Sequence, residues 1–509
     1  MRQIYSVLES RTSYFLPAKV CSSGFLFLAE NCNKIKAMTD SHKKVVRQAR
    51  QKQIRARIAP SPTGFLHLGT ARSALFNWLF AKNQGGIFIL RVEDTDLERS
   101  DPKYEKDIIE SLQWLGLDWD EGPYRQSERL DIYEKYIGKL LRENKAYYCF
   151  CAKEELEEEK EAMLSQGLPP KYSGKCRHNK NPDLSRPSVI RFRMPETEVI
   201  FHDLIRGKVK FNTGLIGDIV VAKELRAPLY NLAVVIDDFE MKISHVIRGE
   251  DHISNTPKQI MLQNALGFEE PVYAHLPLIL SPDRSKLSKR YLETSIDDYR
   301  REGYLPEALI NFLALMGWHP EEDREVLSME ELVNEFNLKR IQKGGAVFNL
   351  EKLDWLNGQY IMKLTPEELA RRLENFIPRK WLDDRGFLVK IVEIEKERIK
   401  KLTDFPKLVG FFFELPDYPA KLLIWDKTSK EDILGNLQSI FSLARDFAEA
   451  ENKIMILAEN QGRGETLWPF RVALSGQIAS PGPFEIMKVL GKEETLKRLE
   501  IAISKLKSN

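Results

Sequence analysis

Arg57-Ile58-Ala59-Pro60-Ser61-Pro62-Thr63-Gly64-Phe65-Leu66-His67-Leu68-Gly69-Thr70 is the stretch on which the reading of the whole chain turns. Residues 55–59 predict a short strand. Pro60, Pro62 and Gly64 cannot extend it, because proline lacks a ladder donor and glycine admits a tight turn. From Gly69 the apolar side chains Ala71, Ala74, Leu75, Trp78 and Leu79 recur at helical spacing. A strand, a polar loop and a helix start in succession form the place where an α/β sheet holds phosphate, through free N–H groups and the helix dipole. The loop matches neither G-x-G-x-x-G nor G-x-x-x-x-G-K-[ST]. An imidazole at His67 and an amide-rich helix start suit the phosphates of ATP held without those loops.

Much further along comes Ser285-Lys286-Leu287-Ser288-Lys289-Arg290, a basic loop able to place an ammonium on developing phosphate charge. Alone, such a run reads as a solvated surface loop. In this order and spacing the two stretches resemble the two signatures of class I aminoacyl-tRNA synthetases. Arg91-Val92-Glu93-Asp94-Thr95-Asp96, Gly122-Pro123-Tyr124-Arg125-Gln126-Ser127 and Val246-Ile247-Arg248-Gly249-Glu250-Asp251-His252 narrow the resemblance to bacterial-type glutamyl-tRNA synthetases, over residues 55–505.

Length and composition fit that class. A chain of 509 residues accommodates several domains. No apolar run approaches the ~18 residues of a membrane span. The net charge of +2 conceals an imbalance: residues 1–53 hold 10 Lys/Arg against 3 Asp/Glu, which leaves 67 against 72, a net of −5, in the remainder. An RNA partner must therefore be met by local basic patches. Five cysteines, three of them clustered, indicate a reducing compartment rather than a disulfide scaffold.

Residues 1–53 fall outside the resemblance. They are read as a disordered extension or a start placed too early, with Met38 as initiator, in a cytoplasmic protein. The alternative is an organellar transit peptide, which Glu9, Glu30 and Asp40 disfavour. Residues 54–145 alternate strand and helix. Ile87-Phe88-Ile89-Leu90-Arg91-Val92 is a buried strand after the Gly85-Gly86 turn, with Glu93, Asp94 and Asp96 at its C-terminal, ligand-binding edge. Asp94 and Asp96 also have a plain reading as helix caps. Asp101-Pro102 opens a helix through Leu115.

Residues 146–235 read as an insertion, with a helix over 152–164 and strands such as Val189-Ile190-Arg191-Phe192-Arg193. Cys149-Phe150-Cys151 and Cys176-Arg177-His178 give sulfur and imidazole ligands about one loop apart, as a tetrahedral, structural Zn²⁺ site needs. Tyr172 competes with His178 for the fourth position. Tyr230-Asn231-Leu232-Ala233-Val234-Val235-Ile236-Asp237-Asp238 reads as a buried strand-type run, after which residues 236–303 return to the sheet. Asp237, Asp238 and His252 read as ordinary loop residues. From Tyr304 the pattern is helical: Pro306 sits at a helix start, and Ser328-Met329-Glu330-Glu331 and Thr365-Pro366-Glu367-Glu368 form capping boxes. Residues 304–375 and 376–509 are read as two helical units. Arg463, Trp468, Arg471 and Gly344-Gly345 are candidate RNA contacts, with a buried Trp and solvated arginines the favoured reading.

The resemblance implies a Rossmann-type α/β catalytic domain split by an insertion, followed by all-α anticodon-binding domains. It implies ATP with Mg²⁺, L-glutamate and tRNA(Glu) as partners, no membrane, and a monomer that activates glutamate only with tRNA bound. Some relatives carry Cys-x-Cys…Cys-x-His as a zinc site. By family position Arg57, Ser61, Glu93, Tyr230 and Arg248 line the glutamate pocket; Pro60, Ser61, His67, Gly69, Ser288 and Lys289 bind ATP; His67, Lys286 and Lys289 stabilise the reacting phosphate. Two positions depart from the signatures: Thr70 stands in place of a second histidine, as is common in this family, and Tyr291-Leu292 stand where the family often has His-Gly. Met362 lies near where the family reads the last anticodon base and lacks a guanidinium, so charging of tRNA(Gln) as well stays open. A short paralogue that glutamylates a modified base is disfavoured by residues 304–509, and a non-catalytic RNA-binding relative by His67, Glu93, Arg248 and Lys289.

Overall fold

The computed structural model describes residues 53–508 except 97, 180–181 and 286–294. The readings of residues 1–52, and of Lys286, Ser288, Lys289 and Tyr291-Leu292, lie outside the described residues.

The opening strand is β1 (Arg55–Ile58), and the chain turns through the proline loop into helix α1 (Leu68–Asn83). Strand β2 (Ile87–Val92) pairs parallel with β1, with Arg57 opposite Ile89. The intervening turn needs glycine: Gly85 has φ +60°, and a Cβ at Gly86 would lie 2.5 Å from the Ile54 carbonyl oxygen. Helix α2 (Pro102–Trp114) begins as read, with the Asp101 carboxylate capping the Lys103 amide at 2.9 Å. Strand β3 (Glu121–Arg125) completes a parallel sheet in the order β1-β2-β3. Helix α3 (Leu130–Arg142) follows.

The insertion builds an antiparallel sheet from β4 (Ala146–Cys149), β5 (Val189–Phe192), β8 (Val220–Glu224) and β9 (Ala227–Pro228), with helix α4 (Lys153–Ser165) between the first two strands. Its hairpin β6 (Glu198–Asp203) and β7 (Gly207–Asn212) does something the sequence did not disclose. It joins the second catalytic sheet, in the order β10-β11-β6-β7, where β10 is His245–Gly249 and β11 is Val272–Leu276. Strand β10 runs parallel to β11 with Arg248 opposite His275, and β11 meets β6 at Tyr273 and Asp203. The Ser244 amide donates to the Arg55 carbonyl at 3.0 Å, bringing this sheet against β1. One apolar cluster, including Ala71, Leu75, Leu90, Ile247 and Leu276, fills the space under α1.

One element is corrected. The run from Tyr230 is buried, but it is helix α5 (Tyr230–Glu240), with Leu232 to Asp238 all sequestered. Continuous burial removes the periodicity that separates a strand from a helix, and Val234-Val235-Ile236 bias such a run towards strand. Asp237 and Asp238 are accordingly helical and buried, not loop residues. Helix α6 (Thr256–Leu266) then leads into β11.

Beyond Tyr304 helices dominate, from Pro306–Leu315 to Pro483–Ser508, the last broken at Gly491. Both capping boxes form, at Ser328 with Glu331 and at Thr365 with Glu368. The helical reading of this half needs one amendment: Ala346–Val347 pairs parallel with Ile279–Leu280. A Cβ at Gly345 would meet Leu280 Cδ1 at 2.4 Å, so any side chain there would displace Leu280. Trp468 is half-buried, donates to the Leu422 carbonyl at 2.9 Å and packs its ring 4.8 Å from the Arg471 guanidinium; Arg463 is exposed. Among the described residues, no helix is long and apolar enough to cross a membrane.

Candidate active site

The C-terminal ends of β1, β2 and β10 and the starts of α1 and α5 surround a cleft of about 1260 Å³. Arg57, Pro60, Ser61, His67, Gly69, Glu93, Tyr230 and Arg248 all line it. The proline loop is tied down on several sides: Glu93 N donates to Pro60 O at 2.9 Å, Asp101 N to Pro62 O at 3.0 Å, and Leu66 N to Asp107 Oδ2 at 2.7 Å. Such over-determination presents Ser61 and the helix start in one fixed geometry.

His67 is the N-cap of α1. Its Nδ1 accepts from the Gly69 and Thr70 amides at 3.2 and 3.4 Å, and its Nε2 lies 3.1 Å from Thr70 Oγ1. A ring nitrogen that accepts amide protons carries none itself, so the proton sits on Nε2. Burial pushes the His67 pKa down, against the opposing pull of Asp251, so the ring is neutral. Thr70 is thus the partner of the ring's outer nitrogen.

Two buried charges beneath the cleft, Asp238 and Arg91, lock Arg57 and Glu93. Arg57 Nε and Nη2 donate to Asp238 Oδ1 and Oδ2 at 3.1 and 3.2 Å. Arg91, with 0% exposure, donates Nη1 to the same Asp238 at 2.7 Å and Nη2 to Glu93 Oε1 at 3.2 Å. Burial alone would raise the Asp238 carboxyl, but Arg57 and Arg91 outweigh it and hold it below its ordinary range. Glu93 goes the other way: burial raises its pKa despite Arg91 and Arg57. Asp237 accepts from Gln126, Arg129 and Tyr133, each at 2.8 Å, and its Oδ2 lies 3.9 Å from Arg91 Nε.

Arg248 is buried, with Nε 3.2 Å from His275 Nε2 and Nη2 2.9 Å from Thr256 Oγ1, while Nη1 is buried without a partner among the described residues. Tyr230 Oη lies 3.0 Å from His252 Nδ1. His252, read as a loop residue, is therefore part of the cleft wall. Asp94 accepts from the Ser127 amide and hydroxyl at 2.8 and 2.6 Å, pinning the β3 exit, and Asp96 holds Arg99. Sequence reasoning missed Arg91, Asp238, His275, Asp203 and Thr256. Only Arg91, a guanidinium inside an apolar strand, carried a local signal.

Away from the cleft, the Sγ atoms of Cys149, Cys151 and Cys176 lie within 4.8 Å of one another. Tyr172 Oη is 3.4 Å from both Cys149 Sγ and Cys151 Sγ and accepts the Cys176 amide at 2.8 Å. His178 is exposed and lies outside this group, whereas Tyr172 touches two of its thiols. Residues 177 and 178 follow Cys176 in a turn that carries the imidazole outward.

Comparison with known proteins identifies the family. Residues 53–355 match the catalytic domain of class I tRNA synthetases (E and Q), and residues 368–503 match an anticodon binding domain. Among curated proteins, a glutamate–tRNA ligase of Aquifex aeolicus is 45% identical over 473 residues, 89% of this chain and 99% of that protein. Glutamate–tRNA ligase 2 of Thermoanaerobacter pseudethanolicus is 43% identical over 471 residues, 89% of this chain and 98% of that protein. A crystal structure of a glutamate tRNA ligase from Elizabethkingia meningosepticum, in complex with its amino acid, superposes with TM-score 0.80 at 36% identity, covering 89% of this chain and 99% of that one. The phosphate-type loop, the arginine-lined cleft and the helical C-terminal half, matched over more than half of the chain by one family, place it among the class I tRNA synthetases of the glutamate and glutamine group.

Proposed function

We propose that this chain ligates L-glutamate to tRNA(Glu) in two steps, through glutamyl-adenylate. The observation that carries the reading is that Arg57 and Arg248 line one cleft, the second with a buried Nη1 that has no partner among the described residues. Glutamate brings two carboxylates and one ammonium. The two guanidiniums answer the carboxylates, and Glu93 answers the ammonium, with the Tyr230 hydroxyl beside it. Glutamine is rejected by charge: its amide leaves a desolvated guanidinium uncompensated, at a cost of about 2–5 kcal/mol.

The glutamate α-carboxylate attacks the ATP α-phosphorus, and pyrophosphate leaves. No protein nucleophile is needed, so the chain contributes positioning and charge neutralisation. The His67 ring, at the start of α1 in the cleft wall, suits phosphate oxygens. The ammonium groups of Lys286 and Lys289, with the Ser288 hydroxyl, are assigned the departing pyrophosphate from the sequence motif. Mg²⁺, held mainly by phosphate oxygens and water, supplies further neutralisation when bound. The terminal ribose hydroxyl of the tRNA then takes the acyl group.

Cys149, Cys151 and Cys176 suit a structural Zn²⁺: three thiols converge, and none faces the cleft. Reduced thiols suit a cytoplasmic setting, and a monomer is the form assigned. A reading that includes tRNA(Gln) as a second substrate rests on Met362, which is partly exposed and offers no guanidinium. The deciding experiment charges purified tRNA(Glu) and tRNA(Gln) separately with labelled glutamate and ATP. Charging of tRNA(Glu) alone is the expected result. Charging of both extends the substrate range, and charging of neither beside an active control enzyme rejects the reading in favour of a non-catalytic RNA-binding relative.

A further inference from the structure

Arg248 is held from behind by a chain of buried groups that begins in the insertion. Asp203 ends strand β6, where its Oδ1 accepts the amides of Ile205 and Arg206 at 2.9 and 2.8 Å. Its Oδ2 lies 2.6 Å from His275 Nδ1. His275 Nε2 in turn lies 3.2 Å from Arg248 Nε and 3.1 Å from Thr256 Oγ1. Both Asp203 and His275 have side chains with 0% exposure. The strand register enforces the contact, because Arg248 and His275 are direct partners across β10 and β11.

The protons follow from the partners. A carboxylate at Nδ1 takes the imidazole proton there, which leaves a lone pair on Nε2 facing an arginine N–H. Protonation of Nε2 would set two donors against each other beside a permanent cation. Burial also pushes the His275 pKa down, and the remaining charged neighbour, Arg206, whose Nε donates to the His275 carbonyl, opposes a second proton too. With Nε committed to His275 and Nη2 to Thr256, the Arg248 guanidinium cannot rotate, and Nη1 is the nitrogen left over.

We propose that Asp203 and His275 are positioning residues for the amino-acid substrate: they fix the tautomer and the orientation that present Arg248 to a substrate carboxylate. The inference rests on the reading of Arg248 as a carboxylate ligand. It also ties the amino-acid pocket to the insertion, since Asp203 belongs to the β6–β7 hairpin rather than to the catalytic strands.

The test uses the full chain with tRNA present and follows ATP–pyrophosphate exchange, varying glutamate and ATP separately. Asp203→Asn keeps the shape but offers a donor to Nδ1, which drives the proton to Nε2. His275→Leu removes the acceptor, and His275→Gln places an amide oxygen near the Nε2 position. Asp203→Asn and His275→Leu should each lower kcat/KM for glutamate roughly 10–100-fold, with KM for ATP within about twofold of wild type. His275→Gln should recover most of the loss, and His275→Leu should add nothing further in an Arg248→Lys background. If His275→Leu does not fold, His275→Asn, which is polar but too short, takes its place. A fall in glutamate and ATP parameters together, or a Gln variant no better than Leu at an unchanged melting temperature, overturns the proposal. Wild-type glutamate KM in Arg248→Lys overturns instead the reading of Arg248 on which it rests. Loss in Arg248→Lys with none in the His275 and Asp203 variants overturns the proposal alone.

Discussion

Arg57 and Asp238 meet in a two-point ion pair, Nε on Oδ1 at 3.1 Å and Nη2 on Oδ2 at 3.2 Å, with 4% and 7% of the residues exposed. The same carboxylate takes Arg91 at 2.7 Å, so one anion organises two buried cations. An arginine meant to bind a substrate carboxylate must be held still in the orientation that binding needs. Asp238 does so, which reduces the reorganisation that binding would otherwise require.

Asp238→Asn should therefore damage stability and substrate binding together. The change leaves Arg57 and Arg91 buried without their shared anion, and breaking a buried pair from one side costs about 3–5 kcal/mol. Chemical denaturation should register a loss of that order. Among the molecules still folded, kcat/KM for glutamate should fall well below wild type. Wild-type stability would mean that the remaining carboxylates, Glu93 and Asp237, suffice to compensate Arg91.

Glu93 sets an acid limit on glutamate use. It must be anionic to hold the substrate ammonium, and burial raises its pKa. As pH falls, Glu93 therefore takes up its proton earlier than an ordinary glutamate near ~4.3. The kcat/KM for glutamate should decline on acidification with an apparent pKa above that value. His67, which burial keeps neutral, adds no charge change above its lowered pKa. In Glu93→Gln the activity should be low and the acid limb should vanish; a limb that persists unchanged would assign it to another group.

The parts of this arrangement that were legible in the sequence are those with local causes. Strand β1, the proline loop and α1 follow from donor-less prolines and a 3.6-residue period, and Asp101, Ser328 and Thr365 announce helix starts by capping chemistry alone. Arg57, Glu93 and Arg248 could be named because motif text carries them. Their supports could not be. Asp238 lies on a helix whose apolar run hid its period, and Asp203 and His275 are 72 residues apart, joined only by strand pairing across an insertion. The same limit applies to the cysteine cluster, where Tyr172 and His178 are near neighbours in sequence and only the turn after Cys176 decides which one reaches the thiols.

That cluster makes a direct prediction. Metal analysis of the purified chain should find about one Zn²⁺ per chain, as a single tetrahedral site requires. Cys176→Ser should lose it and Tyr172→Phe should weaken its retention against a chelator, while His178→Ala should leave it unchanged. Zinc lost in His178→Ala and kept in Tyr172→Phe would mean that the 175–178 turn rearranges around the metal. No metal in any variant would remove the site altogether.

Glu395, at the end of helix Arg385–Glu395, gives a stability test in the C-terminal half. Its side chain is fully buried, Oε1 has no partner among the described residues, and the Arg398 guanidinium reaches the other oxygen at 2.9 Å. Burial pushes its pKa up to about 7, against the partial relief from Arg398. The folded chain thus binds a proton more tightly at this site than the unfolded chain, whose value stays near ~4.3. Between those values the native state holds more protons, so this group's contribution to stability falls as pH rises from about 4.3 towards 7 and is lowest above it. Glu395→Gln mimics the protonated form at every pH. Thermal unfolding should show the variant more stable than wild type at pH 8, with the difference shrinking towards pH 5. An equal effect at both pH values would mean that the Arg398 pair keeps Glu395 ionised throughout, and that the substitution acts through packing.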